Sequence, residues 1–164
     1  VQLSNDKWDI RFLGLALHVA GWSRDPSTKV GAVIVAPDSR IVLGMGYNGF
    51  PRGVKDLDAR YKDRPTKYQY VVHAEMNAIL NSPRKVEGST LYCTLMPCNE
   101  CAKAIIQSGI TRIVTWNTGI PDRWEDSTDI GNIMFREAGI EIVGIKMADY
   151  FGGSDDGKHV IRNG

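Results

Sequence analysis

Two short motifs, far apart along the chain, restrict it more than any other feature. His73-Ala74-Glu75 is followed, after 21 residues, by Pro97-Cys98-Asn99-Glu100-Cys101. Each half opens a segment of helical character that follows a strand or a loop. If the histidine and the two cysteines act together, the fold must bring two helix starts side by side. One imidazole and two thiolates are the three protein ligands of a tetrahedral zinc that keeps its fourth position for water. The Cys-x-x-Cys spacing puts both sulfurs on one side of a first helical turn. There the free N–H groups and the helix dipole favour thiolate over thiol. Pro97, which has no N–H to leave unsatisfied, suits the start of such a helix.

Glu75 stands two residues past His73, too close for the same helical stripe, yet in the first turn it can face a water on the metal. A carboxylate there would take the water's proton and pass it to a substrate ring nitrogen and a departing amine. That chemistry is hydrolytic deamination, and His-x-Glu with Pro-Cys-x-x-Cys is its zinc signature. Two other readings compete. A redox Cys-x-x-Cys needs neither histidine nor glutamate, and a structural zinc needs a fourth ligand. Cys93 is the best candidate for that ligand, but its place in Thr90-Leu-Tyr-Cys-Thr-Leu95 predicts a buried strand residue. His18 reads as a packed or partly exposed side chain and His159 as a surface one.

Around these motifs, strands alternate with helices. Trp8, Phe12, Leu15, Val19 and Trp22 mark the apolar face of a first helix. Val30-Gly-Ala-Val-Ile-Val35 and the run from Ile41 to Tyr47 read as two strands of a hairpin about a Pro37–Arg40 turn. Helices are expected over 73–81, 99–108 and 129–138, and further strands over 90–95, 112–116 and 141–145. The result is an α/β chain of five strands with parallel neighbours, organised as a single domain over 1–164. The stretch 55–70 is charged, tyrosine-rich and without a clear period, long enough for a connection to suggest a functional loop. Residues 152–164, polar and glycine-rich, are expected to be a loose tail or a subunit contact.

The chain has 164 residues, with 20 basic and 19 acidic side chains, for a net charge of +1. That balance argues against a broad nucleic-acid-coating face, while leaving room for a few cations around one phosphate. Three cysteines make no disulfide framework and point to a reducing, cytoplasmic setting. No apolar run approaches the ~20 residues of a membrane span.

The chain resembles the deoxycytidylate branch of the cytidine/deoxycytidylate deaminase superfamily. The resemblance covers roughly Trp8 to Ile145. It is carried by Val30–Val35, Gly46-Tyr-Asn-Gly-Phe-Pro51, Tyr70-Val-Val-His-Ala-Glu-Met-Asn-Ala-Ile79 and Pro97-Cys-Asn-Glu-Cys-Ala-Lys103. It implies a three-layer α/β/α cytidine-deaminase-like fold with a central mixed sheet. It also implies conversion of dCMP to dUMP for thymidylate synthesis, with His73, Cys98 and Cys101 on zinc and Glu75 as acid/base. Asn48 and Ala74 are placed at the nucleotide. A homohexamer, activated by dCTP and inhibited by dTTP with Mg²⁺ on the triphosphate, is further implied.

The effector region maps by resemblance onto Gly46, Tyr47, Asn48, Gly49, Arg52 and Lys55, with Arg84 beyond the His73 helix. Glycines there would let N–H groups approach phosphate oxygens, with Arg52 and Lys55 adding charge. An ordinary tight turn with exposed charges is the alternative. The polar loop with Ser23, Arg24, Ser27 and Lys29 precedes the first strand, and Arg24 or Lys29 is expected to bind the substrate phosphate. Tyr92, Trp116 and Trp124 could stack on a base, but core or interface packing is the commoner use of such residues. A tRNA adenosine-type deaminase shares the zinc pattern. Against it stand the near-zero charge and the 24 residues between Asn48 and His73, which look like a cover over a mononucleotide. A non-catalytic zinc module is the third reading, and Glu75 argues against it.

Overall fold

Helix α1 (Lys7–Ala20) begins where Asp6 accepts the N–H groups of Trp8 and Asp9, two donors that a helix start leaves free. In this computed structural model, which describes residues 1–117 and 125–152, α1 buries Leu13, Ala16 and Val19. It stops at Gly21, so Trp22 does not complete the apolar stripe. Trp22 is half exposed, edge-on to His18 and Tyr47.

The hairpin forms as expected from β2 (Gly31–Val35) and β3 (Val42–Tyr47), with an irregularity between Ile34 and Val35. β4 (Thr90–Cys93) pairs antiparallel with the other side of β2. β5 (Arg112–Trp116) and β6 (Glu141–Ile145) then add in parallel. A two-residue strand, β1 (Gln2–Leu3), pairs with β6 and makes six strands in the order β1-β6-β5-β4-β2-β3, one more than expected. Two residues carry no alternation to read; what makes them a strand is the open side of β6.

Helices cover both faces of the sheet, giving three layers. On one face α1 packs Leu13, Ala16 and Val19 against Val33, Val35, Tyr92, Val114 and Val143. On the other, Ala74 and Ala78 of α4 (Ala74–Leu80) and Ala102 and Ile105 of α5 (Asn99–Gln107) meet Ile34, Leu91, Cys93 and Ile113. Phe135 of α6 (Glu125–Glu137) joins this second core, fully buried. Each large apolar side chain so buried contributes roughly 1.5–3 kcal/mol. α6 begins a turn before the expected position. A short helix α7 (Met147–Phe151), not expected, sets Tyr150 edge-on to Trp116.

Helix α4 lies very close to the hairpin. A Cβ at Gly44 would fall 2.3 Å from the Ala78 carbonyl oxygen, and one at Gly46 would fall 2.3 Å from that of Ala74. Only glycine permits this approach. Asn77 and Asn81 fasten the contact by donating to the carbonyls of Tyr47 and Met45, both on the outer strand β3.

The stretch read as aperiodic folds into α2 (Asp58–Lys62) and α3 (Arg64–Tyr70). Helices of five and seven residues are too short to show a period and depend on caps and tertiary contacts. Asp63 caps α3 through the Thr66 N–H, with a proline in the first turn. Tyr61 stacks on Phe50 at 4.2 Å between centroids. The tail from 153 onward, with His159, and also Trp124, lie outside the described residues.

Candidate active site

His73 is the residue just before α4 and Cys98 the one just before α5, both extended in backbone. Cys101 follows in the first turn of α5 and is buried. The two helix starts therefore meet on one side of the sheet, as the motif spacing required. His73 Nδ1 lies 3.5 Å from Cys98 Sγ and 3.4 Å from Cys101 Sγ, and the three ligand atoms lie within 4.8 Å of one another. Tetrahedral zinc with Zn–N near 2.1 Å and Zn–S near 2.3 Å implies N···S edges of about 3.6 Å, so the donor set fits zinc in kind and spacing. Cys93 is wholly buried in β4 and outside this cluster, as its strand pattern suggested.

The electrostatics separate the two thiols. A hydrogen bond from Cys101, helped by His73 and the Cys101 N–H, holds the Cys98 thiol down to about 4. The Cys101 thiol is pushed up by its bond to Cys98, by burial and by Glu75. The bond to Cys98 also raises the His73 imidazole above its ordinary value, against burial. Glu75 Oε2 sits 3.7 Å from Cys101 Sγ. Burial is the largest influence on Glu75 and raises its pKa, with His73 opposing. A buried carboxyl shifted upward in this way is suited to hold a proton and pass it on.

These residues open onto a cavity of about 280 Å³ lined by His73, Ala74, Glu75 and Cys98. Asp25, Thr28, Asn48 and Lys67 form one further wall, and Met96, Ser127 and Thr128 belong to the lining as well. This is the scale of a small-molecule site. The three zinc-pattern residues, Glu75, Ala74 and Asn48 are thus brought together as the sequence suggested.

Asn48 is also a scaffold. Its Oδ1 accepts from the Val30 N–H at 2.8 Å, and its Nδ2 donates to the Thr28 carbonyl at 2.9 Å and to Asp25 at 3.4 Å. Ser23, buried, donates to the Asn48 carbonyl and so shapes the wall from behind. Arg24 and Lys29 are exposed and are not part of the lining. Arg24 pairs with Asp56 at 3.2 Å and with Asp58 at 3.8 Å.

The effector-region residues make different contacts. Gly46 is accounted for by the close approach of α4. Gly49 bridges Val72, one residue before His73. Arg52 donates to Asn81, the Lys55 carbonyl accepts from Arg60, and Arg84 borders a separate surface hollow with Lys85 and Glu87. Tyr92 and Trp116 point into the α1 core, with the Tyr92 hydroxyl donating to Asp9, so neither reaches the cavity.

Sequence reasoning missed Asp25, Lys67, Ser127 and Thr128. A buried lysine has no local signature, because lysine is normally exposed. Ser127 and Thr128 lie in the turn of α6 that the pattern omitted.

The cytidine and deoxycytidylate deaminase zinc-binding region matches residues 6–117. The chain belongs to the cytidine and deoxycytidylate deaminase family. As a member, it is a hydrolytic deaminase of a zinc-binding family, and it carries a His/Cys/Cys group spaced to hold a metal. Deoxycytidylate deaminase of Mus musculus is 41% identical over 142 residues, 82% of this chain and 77% of that protein. The Homo sapiens enzyme is 39% identical over the same extent. The crystal structure of dCMP deaminase from cyanophage S-TIM5 superposes with a TM-score of 0.63 at 29% identity, covering 85% of this chain and 96% of that one. The same cyanophage enzyme, in complex with dCMP and dUMP, matches 80% of this chain.

Proposed function

We propose that this deaminase hydrolyses dCMP to dUMP and ammonia, supplying dUMP for thymidylate synthesis. The observation that carries the reading is the buried Glu75 carboxyl beside the His73–Cys98–Cys101 cluster, at the floor of a nucleotide-sized cavity. The likeness to deoxycytidylate deaminases supports dCMP as the substrate.

His73, Cys98 and Cys101 would hold the zinc, which supplies the Lewis acidity that makes water nucleophilic near neutral pH. Glu75 takes a proton from the attacking water as its oxygen bonds to C4. It delivers that proton to the ring nitrogen N3. It then moves a second proton onto the 4-amino group, the C4–N bond breaks, and ammonia leaves a 4-oxo ring. Burial excludes bulk water from this exchange and keeps the Glu75 proton in use. Ala74, at the start of α4, and Asn48 border the base and sugar, and Ser23 holds Asn48.

For the 5′-phosphate we favour Lys29 over Arg24. Lys29 follows Thr28, which lines the cavity, and makes no ion pair among the described residues, whereas Arg24 is engaged by Asp56 and Asp58.

The remaining functional features belong to the same proposal. The chain acts as one catalytic domain in a homohexamer, activated by dCTP and inhibited by dTTP, with Mg²⁺ on the triphosphate. Gly46, Tyr47, Asn48, Gly49, Arg52, Lys55 and Arg84 are the effector candidates, and exposure of Arg52, Lys55 and Arg84 supports a charged ligand there. A cytoplasmic setting suits the unpaired cysteines, and no helix among the described residues is long and apolar enough to cross a membrane.

The test is dUMP and ammonia formation from dCMP by the zinc-loaded protein, beside a chelator-treated sample, an RNA stem-loop, and dCTP or dTTP with Mg²⁺. The expected result is turnover of dCMP alone, lost on chelation and restored by zinc. Its dCMP dependence should be sigmoidal, becoming hyperbolic with dCTP and steeper with dTTP. Deamination of the RNA without dCMP turnover overturns the substrate, and indifference to both triphosphates overturns the regulation.

A further inference from the structure

The cavity wall contains an ion pair that the zinc chemistry does not use. Lys67 Nζ lies 3.0 Å from Asp25 Oδ2, and the two side chains are 6% and 2% exposed. Lys67 belongs to α3, in the insert, and Asp25 to the loop between α1 and β2, so the pair joins two segments 42 residues apart at the cavity. Taking two charges out of water is costly, and a surface pair would join these segments without that cost. Their burial at a cavity calls for a use there.

The donors and acceptors can be counted. An ammonium has three N–H groups. Among the described residues, Lys67 gives one to Asp25 Oδ2 and one to Ser27 Oγ at 3.0 Å, which leaves one. Asp25 Oδ1 takes the Ser27 N–H and Oγ–H, both at 2.9 Å, and the Thr28 N–H at 3.2 Å. Oδ2 takes Lys67 and, at 3.4 Å, Asn48 Nδ2. Burial opposes the Asp25 charge, but the Ser27 N–H, Lys67 and the Thr28 N–H outweigh it and hold the carboxyl below its usual range. The wall therefore presents a carboxylate and an ammonium together, nearly neutral in sum. A phosphate dianion placed there would meet the Asp25 carboxylate as well as the Lys67 cation. A neutral hydroxyl meets no such repulsion, and its oxygen accepts the remaining Lys67 N–H, while the bonds already made to Asp25 fill that carboxylate.

We infer that the Asp25–Lys67 pair is the hydroxyl-recognition element of the cavity and receives the 3′-hydroxyl of the substrate sugar. This inference rests on dCMP being the substrate, because a 2′-deoxynucleoside 5′-monophosphate has one sugar hydroxyl, at C3′. Lys67 is then a specificity-determining residue that touches substrate, and the 5′-phosphate is bound elsewhere.

The experiment compares dCMP with 2′,3′-dideoxycytidine 5′-monophosphate, which differs only at that hydroxyl, in wild type, Lys67→Met and the double variant Asp25→Asn/Lys67→Met. Wild type should prefer dCMP in kcat/KM by about 10- to 100-fold, the value of a hydrogen bond to a charged group. Lys67→Met should lose that preference, by a rise in KM for dCMP with little change for the dideoxy nucleotide. The double variant, having no unpaired buried charge, should recover the thermal stability that Lys67→Met loses without regaining the preference. A purely structural pair would show equal losses on both nucleotides and recovery of both properties together, which overturns the inference. Equal use of the two nucleotides by wild type overturns it without any variant having to fold. A wild type inactive on dCMP overturns the proposed function itself, an outcome separate from the others.

Discussion

Glu75 Oε2 and Cys101 Sγ stand 3.7 Å apart, so the buried carboxyl lies against a sulfur of the His/Cys/Cys group. The two residues come from different helices, α4 and α5, and only the meeting of the helix starts makes them neighbours. Replacement of the carboxyl by an amide of the same shape should separate proton transfer from metal binding. Glu75→Gln is expected to retain zinc and its fold while kcat falls by about 10²–10⁴-fold, the scale of a general acid/base contribution. Zinc content by atomic emission together with dUMP formation tests this. Full activity in a zinc-replete variant would remove Glu75 from the mechanism.

Lys29 and Arg24 differ in what already neutralises them. Arg24 is held by Asp56 and Asp58 across an exposed gap, while Lys29 makes no ion pair among the described residues. Lys29→Ala should raise KM for dCMP about tenfold, as loss of a charge-assisted contact does, and change deoxycytidine turnover little. Arg24→Ala should alter KM less. Steady-state kinetics on both substrates decides the matter, and the reverse order would move the phosphate to Arg24.

Gly46 lies beneath the first turn of α4, with the Ala74 carbonyl 2.3 Å from where a Cβ would stand. Backbone on both sides leaves little room to yield, so Gly46→Ala should destabilise the protein by about 1–3 kcal/mol or more. Because α4 carries Glu75 and follows His73, zinc affinity should fall with stability. Urea unfolding and zinc titration provide the two readouts. Normal stability with altered dTTP or dCTP response would instead give Gly46 a purely regulatory role.

Arg112 grips Asp9 through both terminal nitrogens, at 2.7 and 2.8 Å, and Tyr92 and Ser4 donate to the same carboxylate. Burial opposes the Asp9 charge, but Arg112 foremost outweighs it, and the Asp9 pKa falls below its ordinary value. The folded value being the lower, this stabilisation is complete above the ordinary carboxylate range and is lost as pH falls through the lowered value. Arg112→Met leaves a buried charge unpaired. It should cost about 3 kcal/mol at pH 7, the lower end for breaking such a pair, since Arg112 remains 26% exposed. The deficit should shrink toward pH 3 as Asp9 takes up a proton. Urea titrations across that range measure it, and a deficit independent of pH would show that packing, not charge, is lost.

The zinc-pattern residues were legible because their message is local. Cys98-x-x-Cys101 fits one helical turn, His73 and Glu75 fit the start of another, and β-branched runs such as Val30–Val35 announce buried strands by composition alone. The same locality explains the errors. Strand β1 exists because β6 has an open side, and α2 and α3 are too short for a period. Nor could the sequence show that Gly46 makes room for α4, a contact visible only in three dimensions.

By itself, then, the sequence determined the His/Cys/Cys group, the glutamate beside it and the alternation of strands and helices, all properties of contiguous residues. The tertiary structure decided which polar residues face the cavity. Arg24 and Lys29, beside the first strand, are exposed and lie outside the lining. Lys67, from a stretch with no readable pattern, is buried against Asp25. A side chain's neighbours across the fold depend on how the insert and the loop after α1 pack together, and no local regularity of either segment encodes that.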